Sequence, residues 1–196
     1  MLKDGILEES HSAYINRITL VVREGKAVRI FLDARRINKQ MIADRTKVMP
    51  TRELLQKFYG AKYITSLDLN SDFLQILLGQ SSRQWTAFQF ESNVYQFTTV
   101  PYGFENNLTA FIRALERVLG NGGLNNNLVM YVGDLLIHSL TFTEHLHHID
   151  LVLDKLTSAG FTVNAGKCQF CKQEIKFLGH IISDGVKADR ERTEAI

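Results

Sequence analysis

The sequence predicts an α+β fold: a mainly antiparallel sheet with two long helices on one face. Three observations carry this. β-branched and aromatic runs alternate with turn residues, as in "RITLVVRE" (17–24), "KAVRIFLDA" (26–34) and "LVMYVGDLLIHS" (128–139). Two segments, 105–120 and 141–160, carry apolar residues at helical spacing. Helices and hairpins are interspersed without the strict strand–helix alternation of a parallel sheet.

Bulk properties describe an ordinary globular chain of 196 residues, 45% hydrophobic and 22% charged. A net charge of +2 means that a basic surface must come from local clustering. No apolar run approaches the ~18 residues of a membrane span, and "MLKDGILEES" lacks the core of a secretory signal. Cys168 and Cys171 lie too close together to be an obvious staple, so a reducing, intracellular setting is expected.

In chain order, residues 17–34 form a hairpin about Glu24-Gly25, followed by a basic, irregular stretch. Thr51 caps a short helix that Gly60 stops. "AKYITSLDL" (61–69) has the apolar density of a buried strand ending at Asp68. "SDFLQILL" reads as a helical turn, and 85–100 as a hairpin across Ser92-Asn93, with Phe88, Phe90, Tyr95 and Phe97 alternating as core residues. The helix over 105–120 leads through "NGGLNNN" into the hairpin 128–139. A second long helix is capped at Thr143 and closed by Gly160. "FTVN", "EIKFLGHII" and "GVKA" are three short strands. Helices on one face of the sheet would leave the other open to a large ligand.

Asp68 and Asp134 each stand where an apolar strand ends. Either can be a turn former; alternatively, the two converge at one edge, where hard oxygen ligands suit Mg²⁺ and phosphoryl transfer. His145-x-x-His148 with Cys168-x-x-Cys171 has zinc-like spacing, but is better explained as a satisfied helix face and half-buried thiols. The basic run Arg35, Arg36, Lys39, Arg45, Lys47 and Arg52 is either a solvated face or a phosphate contact.

Six ordered segments go further: "FLDARRINK" (31–39), "SLDLNSDFLQI" (66–76), "VPYGFENNLTAFIRAL" (100–115), "YVGDLLIHS" (131–139), "EHLHHIDLVLDKLTSAGFTVNAGKCQF" (144–170) and "FLGHIIS" (177–183). Together they resemble the motif series of reverse transcriptases from gypsy-type LTR retrotransposons. The resemblance implies a right-hand polymerase, with fingers over about 1–60 and 78–100 and palm over about 61–77 and 101–190. The family's thumb and RNase H regions would lie beyond residue 196. It further implies RNA-directed DNA synthesis on an RNA or DNA template–primer from deoxynucleoside triphosphates, with two Mg²⁺ ions, in the cytoplasm or in retrotransposon particles.

By position, Asp68 and Asp134 match metal-binding, catalytic carboxylates. Arg29, Phe73 and Tyr102 match nucleotide-binding positions. Arg35 and Lys39 would meet template phosphates, and Gly179, within Phe177–His180, would lie near the primer end. Five positions depart from the family pattern. Gly133 replaces the first of two adjacent aspartates, Asp72 a glycine, Trp85 a lysine, Asn107 an alanine and Leu108 a proline. The Gly133 departure removes a principal metal ligand, so an impaired polymerase is expected. The alternative is a non-catalytic nucleic-acid- or protein-binding module derived from such an element.

Overall fold

The computed structural model describes residues 1–22, 24–25, 28–44, 50–70, 72–120, 124, 126–131, 133–183 and 185–188, with the backbone alone at 72, 185, 186 and 188. The chain divides into two compact units, 1–45 with 71–111, and 46–70 with 112–196.

The first unit contains β1 (Leu7–Glu9), β2 (Ile18–Val21), β3 (Arg29–Leu32) and the short α1 (Arg35–Asn38). The second unit's α2 (Thr51–Gln56) and β4 (Tyr63–Asp68) intervene in the chain. A 3₁₀ turn over Asp72–Gln75, α3 (Gln80–Arg83), β5 (Phe88–Phe90) and β6 (Asn93–Phe97) return to the first unit. The expected hairpin is β2 with β3, in register Val21↔Arg29. β5 and β6 turn at Glu91-Ser92, one residue earlier than expected, because Phe90 pairs with Asn93. β1, which the sequence reading missed, completes a sheet of order β1-β6-β5. Three residues are too few for periodicity to show. Leu7, Leu32, Leu74, Phe88 and Phe97 form this unit's core. Phe90, expected in the core, is 48% exposed at the strand end.

α4 (Asn107–Leu119) links to the second unit, whose main sheet has order β7-β8-β4-β9. Its other strands are β7 (Leu128–Tyr131), β8 (Asp134–Ser139) and β9 (Gln169–Lys172). α5 (Phe142–Ser158) packs on β8 and β4. Its cap is Thr141, not Thr143: Glu144 stands three residues after Thr141, and the two close a reciprocal capping box. Likewise α2 begins after Pro50, so Thr51 is its first residue and not its cap. "FTVN" makes only an isolated bridge, Leu69↔Val163. "EIKFLGHII" is not one strand but a hairpin, β10 (Ile175–Phe177) and β11 (His180–Ser183), extended by β12 (Gly185–Ala188). A single strand is ruled out because Leu178 and Gly179 both take positive φ, 51° and 75°, turning the chain within two residues.

Strand alternation assigns the two faces of this sheet. Tyr63, Thr65 and Leu67 share the α5 face: Thr65 Oγ1 lies 2.8 Å from His145 Nε2, and the Tyr63 and Phe142 rings are 5.5 Å apart. On the other face Ile64, Val129 and Leu136 join Leu54 and Phe58 from the α2 segment and Ile175, Phe177 and Ile182 from the small sheet. The second face is therefore covered over its middle, leaving the Asp68 end.

Candidate active site

Asp68 and Asp134 are cross-strand partners, the last register pair of the antiparallel β4–β8 ladder. Directly opposed residues point to the same face, here the face of Ser66 and Leu136. Asp134 is therefore not in the turn, as a Gly-Asp tip would suggest, but opens β8 opposite Tyr131. Position 132 lies outside the described residues; Gly133, between the two strands, has a φ of 98°, in the left-handed region. A side chain at 133 would strain this backbone, so the turn now uses the conformational freedom of glycine.

Asp68 is 30% exposed and accepts hydrogen bonds from Lys167 Nζ at 3.0 and 3.3 Å. That lysine is fixed by the segment before it. Asn70 N donates to Thr162 O, Asn164 N to Asp68 O and Lys167 N to Asn164 O, at 2.8–3.0 Å. Sequence reasoning did not single out Lys167, although its "N-A-G-K-C" context was visible; only the antiparallel run of 162–164 beside β4 reveals its target. Gly179 occupies the β10–β11 turn, and Phe177 at its base packs edge-on against Tyr131, rings 6.0 Å apart. Tyr131 is the register partner of Asp134, so this turn is tied to the carboxylate hairpin.

Among the described residues no three His, Cys, Asp or Glu side chains converge as a metal cluster. Two carboxylates on one face fit a single Mg²⁺, which commonly uses one or two carboxylates with water and substrate phosphates.

The remaining predicted residues lie in the first unit. Tyr102 is the hub of an aromatic cluster, with ring centroids 5.1 Å from Phe31 and 5.7 Å from Phe73, and the Arg29 guanidinium 5.8 Å over its ring. Leu32 N donates to Tyr102 O at 2.9 Å, and Gly103 beside it admits no side chain, since a Cβ would stand 2.1 Å from Leu32 O. Arg29, Phe73 and Tyr102, separated in sequence, thus form one group. Asn107, a departure from the family pattern, is buried and donates from Nδ2 to Pro101 O at 2.7 Å, bracing the same "PYG" turn.

Arg35 makes a two-pronged ion pair with Asp33 at 2.7 and 2.8 Å, which holds the Asp33 carboxyl down to about 2. Lys39 is exposed. Arg45, Lys47 and the Asp72 side chain lie outside the described residues. Three of the four residues with zinc-like spacing have side-chain partners within the fold. Buried His145 faces Thr65 and Ser139, His148 faces Ser139 at 2.8 Å, and Cys168 donates to Asn164 O.

Residues 22–182 match the family model "Reverse transcriptase (RNA-dependent DNA polymerase)". The chain is 34% identical over its whole length to the retrovirus-related Pol polyproteins from transposons 297 and gypsy of Drosophila melanogaster, spanning 19% and 20% of their lengths. The structure of a foamy viral protease–reverse transcriptase in complex with double-stranded DNA superposes with a TM-score of 0.88 at 27% identity, covering 99% of this chain and 34% of that one. The chain thus spans about a fifth of the curated relatives it matches. With the antiparallel sheet, the opposed carboxylates and the motif order in agreement, this chain belongs to the reverse transcriptase family, among its gypsy-type retrotransposon members.

Proposed function

We propose that this chain is the fingers and palm of a retrotransposon RNA-directed DNA polymerase whose catalysis is severely weakened by Gly133. The observation that supports this most is the Asp68↔Asp134 pair at the end of the β4–β8 ladder. The first unit is assigned to the fingers, and the sheet of the second to the palm. Asp68 and Asp134 would hold Mg²⁺, which supplies neutralisation of phosphate charge when bound. Lys167 neutralises Asp68 and must yield to an entering cation. Arg29 offers a guanidinium to a triphosphate, while Phe73 and Tyr102 offer a ring wall to its sugar and base. The Gly179 turn is assigned to the primer end, and Arg35 and Lys39 to template phosphates. The foamy viral relative was solved with double-stranded DNA, which makes a duplex template–primer the partner to test here.

Losing one principal carboxylate removes electrostatic stabilisation where charge develops, so extension should fall on the order of 10³-fold relative to an intact site. The test is duplex binding together with primer extension on an RNA template. Duplex binding that weakens with salt, with extension only at long times, is expected. Binding with no extension at any Mg²⁺ concentration would favour the non-catalytic module, and rapid extension would refute the impairment.

A further inference from the structure

We infer that the first unit carries a stacking subsite for an unpaired base, formed by Tyr14 and Trp85 beside a cation-lined cleft. This rests on the nucleic-acid reading above, and takes it to a site that the resemblance did not indicate, since the family pattern has a lysine at position 85. The two rings lie 4.2 Å apart, yet Tyr14 is 52% and Trp85 39% exposed. Two large aromatics paired at a surface on a fixed backbone form a platform that a flat ligand can cover.

Here it is fixed on both sides. Ser12 Oγ donates to Gln84 O at 2.8 Å, and Asn16 Nδ2 donates to Trp85 O and Ala87 O at 2.8 and 2.9 Å. Tyr14 N donates to Ser12 Oγ at 3.0 Å. The buried Thr86 anchors the next residue, accepting from Phe97 N at 2.8 Å. Segments 69 to 72 residues apart in sequence are therefore tied together through side chains on either side of the ring pair.

Charge identifies the occupant. The rings border a cavity of about 570 Å³ lined also by Ile37 and Met41. It shares Ile15, Asn16 and Arg36 with a second cavity, of about 720 Å³, lined by Arg17, Arg35, Arg36 and Lys39 together with Asp33. Since Asp33 is matched by Arg35, the cleft keeps a cationic balance from Arg17, Arg36 and Lys39. An aromatic platform next to such a groove is the arrangement that takes single-stranded nucleic acid, the base on the ring and the phosphates on the cations.

Trp85 is the sole tryptophan, so its emission reports the site directly. The full chain is titrated with a thymidine oligomer of roughly ten nucleotides, with the same backbone lacking bases, and with a blunt duplex. The thymidine strand should quench emission saturably and bind roughly tenfold tighter than the abasic strand. By anisotropy of a labelled strand, Trp85→Phe should keep the base preference. Trp85→Lys should abolish it while steepening the salt dependence by about 0.7 in the log–log slope. Equal binding of both strands, with emission unchanged, overturns the subsite. If the duplex still binds in that case, the nucleic-acid reading stands without it. If nothing binds, both fail.

Discussion

At the scale of single residues, the carboxylate site differs from its family pattern by more than one missing side chain. Gly133 has a φ of 98°, so Gly133→Asp would place an acid where the family pattern has one and cost about 1 kcal/mol of backbone strain. A thermal melt should show that loss as a drop of a few degrees for the substituted protein; an unchanged or raised Tm would show that the turn does not need glycine. Lys167 supplies the complementary prediction. Because its ammonium bonds both oxygens of Asp68, Lys167→Met should bind Mn²⁺, used as a spectroscopic probe for Mg²⁺, several-fold tighter than the parent. Equal or weaker binding would mean that the lysine does not compete for that carboxylate. Asp68, Asp134, Arg29, Phe73 and Tyr102 could be singled out as candidates from sequence because each sits in a recognisable motif. Lys167 was not singled out, because its role depends on an alignment of 162–164 with the end of β4 that no local pattern encodes.

Individual elements explain which boundaries could be read. Period-3.6 patterning located α4 and α5, but Thr141 and Thr143 both offer a cap just before Glu144; the reciprocal bonds with Glu144 select Thr141. Thr141→Ala should therefore destabilise the protein by about 1 kcal/mol in urea unfolding, and Thr143→Ala should not. β9 was invisible in sequence because it pairs irregularly. The register slips between Ile64 and Ser66, and Cys171 N donates to Thr65 Oγ1 in place of a regular ladder bond.

β8 also carries an acid-sensitive group. His138 is buried, its Nε2 has no hydrogen-bond partner among the described residues, and its ring lies 5.1 Å from that of Phe58. Burial, and then the charges of Lys57, His148 and His145, hold its pKa down to about 4. Unfolded, the imidazole titrates near 6.5, so the unfolded chain takes the proton first as pH falls. The resulting contribution is intact above about pH 6.5 and lost towards pH 4, amounting to about 2 kcal/mol between pH 7 and pH 5. His138→Phe, measured by urea unfolding at both values, should lose correspondingly less stability over that interval; an equal loss would place the acid sensitivity elsewhere.

For the whole molecule, the α+β class was legible because hairpin and helix periods alternate irregularly along the chain. The strand order β7-β8-β4-β9 was not, since β4 pairs with strands about 70 and 100 residues further on. Those long-range pairings place Asp68 opposite Asp134, and the resemblance anticipated what spacing alone left open. The same molecule that holds this pairing, the aromatic cluster around Tyr102 and the Gly179 turn has glycine at 133, where the resemblance implies an acid. The central claim is that a polymerase scaffold persists around one missing carboxylate. The most direct measurement is single-turnover primer extension on an RNA template by the parent and by Gly133→Asp, at matched duplex occupancy. The account predicts a rate at least on the order of 10²-fold faster for the substituted protein, with strain in the turn limiting full recovery. A parent that extends as fast as Gly133→Asp would contradict it.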